Sequence, residues 1–163
     1  MEARGDTISD AMVERIIHEP KFIAKRVNLR ELTPSEKAGY LTKNVKLECD
    51  AYDCRMVIRQ CVDRPSNFSV ILVYKDVNKN DHAIIRLNGN HGRHKNRLEG
   101  NVVDGPHIHR MTERYQLKTT HPDGFAMATD RYTDLNGAIE LFMEMANIRY
   151  SDGKKNRRLE EFF

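Results

Sequence analysis

The sequence predicts a single α+β domain in which an antiparallel meander of about five strands packs against an N-terminal and a C-terminal helix. Three observations lead to this prediction. Apolar residues recur with helical spacing near both ends of the chain, and they alternate with polar residues in between. The connections between successive strands are short, whereas parallel strands need crossovers of about a dozen or more residues. With 163 residues, 39% of them apolar, the chain is long enough to form one packed core.

The N-terminal helix is predicted over residues 7–19, with Thr7 as its N-cap and Pro20 ending it. Its apolar positions fall on one helical face: Ile8, Met12, Val13, Ile16 and Ile17. The next segment is mixed. Residues 22–29 suggest a short strand, and residues 33–36 suggest a turn or the start of a one-turn helix.

From Val45 to Ala51 apolar and charged residues alternate, as they do in a half-buried strand. Three further strands are predicted over residues 54–62, 68–74 and 83–87, joined by polar turns. Since each connection is short, these strands are expected to pair in antiparallel order.

Residues 88–106 are rich in Gly and Asn and show no sustained period, which predicts a long exposed loop or an irregular hairpin that is functional or mobile. A strand is expected over residues 107–115, and a helix with a wide apolar stripe over residues 134–148. The domain is therefore predicted to span residues 1–148. Residues 149–163 are predicted to form a basic, frayed tail.

Composition excludes several classes of protein. Charged residues make up 31% of the chain, and no apolar run approaches the roughly 18–20 residues of a membrane span. Because no signal peptide is evident and the three cysteines form no C-x-x-C pair, we expect a cytoplasmic protein with reduced thiols. No P-loop, dinucleotide glycine pattern, zinc-finger spacing or Ser-His-Asp order is present.

Histidine is concentrated in one part of the chain. Five of the seven histidines fall within residues 91–121: His91, His94, His107, His109 and His121. Residues two apart in a strand point to the same side, so His107 and His109 are expected to share one face, with His91 or His94 brought close by the preceding loop. Solvated or hydrogen-bonded surface histidines would show the same pattern without any function.

One functional interpretation is acid–base chemistry on a phosphodiester, because an imidazole can both accept and donate a proton near neutral pH. The candidate catalytic residues are His107, His109, His94 and Arg110. The candidate binding residues are His91, Arg93, Lys95, Asn96 and Arg97. Residues 88–121 carry an excess of three positive charges, equal to the net charge of +3 of the whole chain, which favours a nucleic acid or another anionic partner.

A second interpretation is a divalent transition metal bound by His107, His109 and Glu113, with His91 or His94 as a further ligand. This spacing is similar to the first half of the cupin metal motif. The glycine spacing and the second half of that motif are absent. The chemistry could equally proceed without a cofactor.

Four short motifs within residues 82–115 carry a family resemblance: Arg86-Leu87, His94-x-Asn96, Gly105-Pro106-His107-Ile108-His109 and Glu113-x-Tyr115. Together they resemble a family of small uncharacterised proteins from Gram-positive bacteria and their phages. The resemblance implies a phage or mobile-element setting. It also implies that His94, Asn96, His107 and His109 form the site, although Arg110 and Met111 depart from the apolar and aromatic residues expected there.

Pro-His-x-His followed by a basic residue also resembles a strand of small toxin ribonucleases. A non-enzymatic alternative is a binding protein, such as a phage-encoded inhibitor of a host defence complex. In that case the loop over residues 88–106 and the tail over residues 149–163 would contact the host protein.

Overall fold

The computed structural model describes residues 6–90 and 92–151. The helices are α1 (Asp10–His18), α2 (Glu113–Lys118) and α3 (Leu135–Met145). The strands are β1 (Lys21–Ile23), β2 (Thr33–Pro34), β3 (Tyr40–Leu47), β4 (Asp53–Cys61), β5 (Phe68–Lys75), β6 (Asp81–Asn88), β7 (His94–Lys95), β8 (Val102–Val103), β9 (His107–Arg110), β10 (Phe125–Ala128) and β11 (Ile148–Tyr150).

The main sheet is antiparallel and has seven strands in the order β10-β9-β6-β5-β4-β3-β2. The predicted α+β class and antiparallel pairing are confirmed, but the expected number of about five strands is too low. The unpredicted members are the edge strands β2 and β10. They span only two and four residues, too few for an alternating pattern to stand out from the surrounding loop sequence.

One face of the main sheet forms the core with α1 and α3. The fully buried residues at the centre of this core face are Met56, Ile58, Val70, Leu72 and Leu87. Along each strand they alternate with residues of the opposite face. The opposite face, here called the histidine face, carries His107 and His109 on β9 and Arg86 and Asn88 on β6. Cross-strand partners lie on the same side of a sheet, so the β6–β9 register places these four side chains together.

The ends of the described chain meet in a separate parallel pair, β1 with β11. The predicted domain boundary at residue 148 therefore falls at the start of a strand, and residues 152–163 of the predicted tail lie outside the described residues. Helix α1 starts later than predicted, because the hydroxyl of Ser9, not that of Thr7, accepts the capping hydrogen bond from the amide of Met12.

Two further predictions were wrong in detail. The strand expected over residues 107–115 ends at Arg110, because Thr112 caps α2 by accepting a hydrogen bond from the amide of Tyr115. The turn or helix start expected over residues 33–36 is instead strand β2. Of the loop or irregular hairpin expected over residues 88–106, the structure forms a small hairpin from β7 and β8. No helix within the described ranges has the length and apolar character needed to cross a membrane.

Candidate functional site

Three histidines meet on the histidine face. His107 and His109 come from β9, and the hairpin of β7 and β8 supplies His94. The ring centres of His94 and His109 are 4.6 Å apart, those of His107 and His109 are 4.9 Å apart, and those of His94 and His107 are 5.7 Å apart. The structure thus brings together the three predicted catalytic histidines from segments that are separate in the sequence.

His107 is the innermost ring of the three and has no exposed surface. Its Nδ1 lies 2.7 Å from the carbonyl oxygen of Gly105, which only accepts hydrogen bonds, so Nδ1 carries the proton. Its Nε2 faces the amide nitrogen of Asn88 at 3.4 Å, and the Asn88 side-chain oxygen accepts a hydrogen bond from the Ser69 hydroxyl at 2.7 Å. These contacts hold both ring nitrogens of His107 in place, beneath the rings of His94 and His109.

His109 is oriented by the same kind of contact, because its Nδ1 donates to the carbonyl oxygen of Asp123 at 2.8 Å. Its Nε2 therefore carries the lone pair, and within the described part of the chain no residue bonds to that nitrogen. Burial, followed by electrostatic interactions with His107, Arg86 and His94, lowers the pKa of His109 to about 3. The ring is therefore neutral at neutral pH, and its Nε2 is unprotonated.

The segment that holds His109 is fixed in turn by an ion pair between Asp123 and Arg86. Arg86 stands directly opposite His109 across the β6–β9 pair. Its Nε is buried and has no hydrogen-bond partner among the residues described. The ion pair and the Asp123 carbonyl together set the position of the His109 ring.

His94 sits on the hairpin with its Nε2 2.5 Å from the carbonyl oxygen of Gly124. Two residues further on, Asn96 is almost fully buried and binds both backbone groups of Ala126, accepting from the amide at 2.9 Å and donating to the carbonyl at 2.8 Å. Ala126 lies in the edge strand β10, so Asn96 satisfies the outer edge of the main sheet and docks the hairpin onto it.

Replacement of Asn96 by Ala is expected to lower the free energy of unfolding by about 2–3 kcal/mol, because two buried backbone groups of Ala126 lose their partners. Urea denaturation measures the loss, and hydrogen exchange should speed up at the Ala126 amide. Asn136→Ala, at an exposed position of α3, is the matched control. A loss below about 0.5 kcal/mol with unchanged exchange would contradict the docking role.

Next to His94 and His109 lies an open cavity of about 390 Å³. It is lined by Arg86, Arg93, His94, Lys95, Arg97, His109, Tyr115, His121, Asp123 and Gly124. Four of these side chains are cationic and one is acidic. Arg86 pairs with Asp123, and Arg93 pairs with Asp104, whereas Lys95 and Arg97 form no ion pair with the described residues. The cavity therefore suits an anionic ligand.

Two predicted site residues lie away from the cavity, towards α1. Arg110 forms an ion pair with Glu14, because strand alternation turns it to the side opposite His109. The carboxylate of Glu113 accepts a hydrogen bond from the amide of Asp10 at 2.9 Å, and the carboxylate of Asp10 accepts one from the amide of Glu113 at the same distance. These two residues join α1 to its surroundings.

The remaining predicted residues divide into three groups. Arg93, Lys95 and Arg97 line the cavity, Asn96 is buried beneath the hairpin, and His91 lies outside the described residues. Sequence reasoning did not assign Arg86, His121 or Asp123 to the site. Arg86 carried a signal that could have identified it: it is a charged residue inside the otherwise apolar run of residues 83–87.

The predicted metal site is not assembled from His107, His109 and Glu113, because Glu113 faces α1. Over residues 6–90 and 92–151 no group of three or more His, Cys, Asp or Glu side chains is arranged to hold a metal ion. The histidines do share one property with metal ligands, since His94, His107 and His109 each place one ring nitrogen against a backbone carbonyl.

Comparison with known proteins gives one match. The model of a family described as a family of unknown function, DUF6978, matches residues 8–148. No curated protein and no solved structure matches the chain significantly. The match covers most of the described fold, including the sheet, the hairpin and all three histidines.

Proposed function

The chain belongs to the DUF6978 family, whose function is unknown, and from its site we propose that it is a histidine-dependent phosphodiesterase that cleaves RNA. The observation that carries the proposal is the neutral His109, whose Nε2 lone pair has no hydrogen-bond partner among the described residues and lies beside a cavity lined by four cationic side chains. A base next to fixed positive charge is what cleavage of a phosphodiester requires.

In the proposed reaction the 2′-oxygen of the substrate attacks phosphorus, and its proton passes to Nε2 of His109. The bond from phosphorus to the 5′-oxygen breaks, and that oxygen takes a proton from the imidazolium of His94. The products are a 2′,3′-cyclic phosphate and a 5′-hydroxyl. The hydrogen bond from His94 Nε2 to the Gly124 carbonyl is compatible with both protonation states, which leaves Nδ1 to carry and release the proton.

Burial and neighbouring charged groups oppose protonation of His109 and lower its pKa. A bound phosphodiester brings a negative charge that offsets this repulsion, so the basicity of Nε2 rises when the substrate is present. Lys95 and Arg97, which have no acidic partner among the described residues, would balance the charge that grows on the phosphorus oxygens.

We expect the purified protein to cleave a 5′-labelled single-stranded RNA and to leave the matching 2′-deoxy strand intact, because only RNA supplies the attacking oxygen. Gel analysis of the products checks this, and the cyclic phosphate identifies the route. Binding should weaken as salt increases, since cationic side chains displace counterions from phosphates. Parallel reactions with a chelator and with added divalent metals show whether a metal takes part.

Two outcomes separate the alternatives. If a chelator abolishes cleavage and Zn²⁺ or Mn²⁺ restores it, the three histidines act through a metal ion. If clean protein leaves RNA intact under every condition, the phosphodiesterase proposal fails. The non-enzymatic alternative, an inhibitor of a host complex in a phage or mobile-element setting, would then be tested by reconstituting a complex with purified host proteins.

A further inference from the structure

The histidine face carries a second cavity, of about 580 Å³, towards the β2 edge of the sheet, whereas the first cavity lies towards the β10 edge. It is lined by Ser35, Glu36, Lys37, Tyr40, Thr42, Asn44, Arg59, Asn67, Phe68 and Ser69. Thr42, Arg59 and Ser69 are cross-strand partners on β3, β4 and β5. They point to the same side of the sheet as the histidines, because the same row continues through Asn88 to His107.

This row crosses five strands from the second cavity to His107, whose ring centre lies 4.9 Å from that of the His109 ring lining the first cavity; Asn88 and His107, at that end of the row, are buried. Within that row, Ser69 donates a hydrogen bond to Asn88, and Asn88 contacts His107. Neighbouring strands lie about 4.8 Å apart, so Arg59 on β4 is about 14 Å from His107 on β9. A stacked nucleic-acid strand rises about 3.4 Å per nucleotide, and about four nucleotides would span that distance.

The second cavity has the chemistry of a subsite for a nucleic-acid strand. Arg59 is exposed and forms no ion pair within the described ranges, so its guanidinium is available to a phosphate. The Lys37 ammonium lies 4.6 Å from the centre of the Tyr40 ring, which places a cation beside an aromatic surface on which a base can stack. Glu36 supplies the only acidic side chain of this lining.

We propose that a single RNA strand lies across the histidine face, with the cleaved phosphate in the cavity beside His109 and the flanking nucleotides bound by Arg59 and Tyr40. This inference rests on the proposed function and extends it by naming the substrate as a single strand of several nucleotides. It predicts that binding strength depends on strand length and that Arg59 contributes only to longer strands.

The test is fluorescence anisotropy with a labelled trinucleotide and a labelled dodecanucleotide of RNA, using His109→Asn protein so that neither strand is cleaved. Arg59→Ala in that background should weaken binding of the dodecanucleotide by at least about fivefold and should leave the affinity for the trinucleotide unchanged. The salt dependence of dodecanucleotide binding should fall by the equivalent of about one phosphate contact. Lys95→Ala should weaken binding of both strands. Arg149→Ala, at an exposed position of β11, is the control and should change neither.

Failure of this inference is distinguishable from failure of the proposed function. If both strands bind equally well and Arg59→Ala has no effect on either, the proposal that RNA extends across the sheet to Arg59 is refuted. The proposed function of the cavity beside His109 is not affected by that result. If neither strand binds, and wild-type protein does not cleave RNA, both proposals fall. A circular dichroism spectrum matching wild type confirms that the Arg59→Ala protein is folded.

Discussion

His109→Asn is expected to lower the rate of RNA cleavage by about 10²–10⁴-fold, the usual contribution of a general base. The Asn side-chain nitrogen takes the place of His109 Nδ1 and can still donate to the Asp123 carbonyl, so the loop that carries Asp123 should stay in position. What the substitution removes is the Nε2 lone pair. Single-turnover cleavage of a labelled RNA measures the effect.

The matched control is His18→Asn, because His18 is exposed at the end of α1 and its ring contacts Glu14, one helical turn earlier, away from the histidine face. Its cleavage rate should equal that of wild type. The dodecanucleotide affinity of His109→Asn should also stay close to the wild-type value, so the loss appears in the rate and not in binding. A variant that cleaves within about threefold of wild type would remove His109 from the role of base.

The low pKa of His109 also has a consequence for stability that does not depend on catalysis. Between about pH 6.5 and about pH 3 an unfolded His109 binds a proton that the folded one does not, so the unfolded state is favoured as pH falls through this window. The wild type should lose up to about 1.4 kcal/mol of stability per pH unit from this group, and His109→Asn should not. Urea denaturation at about pH 7 and about pH 5 compares the two slopes.

The part of the site that follows from short-range periodicity could be predicted from the sequence. Strand alternation placed His107 and His109 on one face, and the same rule turns Arg110 to the other face, where it pairs with Glu14. Arg110 was nevertheless proposed for the site because it lies among other positive charges. The density of charge along the chain does not indicate which face of a strand a side chain occupies, whereas strand alternation does.

The features that escaped prediction depend on contacts between distant segments. Asn96 and His94 are fixed by carbonyl and amide groups 30 residues away, at Gly124 and Ala126, and no local pattern reports such bonds. The backbone of edge strand β10 forms hydrogen bonds with β9 on one side and with the Asn96 side chain on the other, and these bonds stabilise the strand. Residues of any type can supply a backbone carbonyl, so the residue type at Gly124 or Ala126 does not indicate that its backbone binds a distant side chain.

Lys21 is the clearest feature of this kind, since it follows Pro20 in a segment of mixed sequence where no periodic pattern singles it out. In the structure it is fully buried, and its ammonium donates to the carbonyls of Ile17 at 2.9 Å, Glu19 at 2.8 Å and Ala146 at 2.8 Å. These carbonyls belong to the C-terminal ends of α1 and α3, where helix dipoles are negative. Burial lowers the pKa of Lys21, and the nearby Cys54, Cys49 and Glu19 oppose that shift.

Lys21→Met is expected to lower the free energy of unfolding by about 3–5 kcal/mol, a large part of the roughly 5–15 kcal/mol that stabilises a typical domain. Methionine fills nearly the same volume, so the loss arises from carbonyls at two helix ends that no longer have a donor. Urea denaturation checks the value against Lys46→Met, at an exposed position of β3, which should change stability by less than about 0.5 kcal/mol. Equal stability of the two variants would show that the packing of β1 against β11, without the ammonium, holds the two helix ends together.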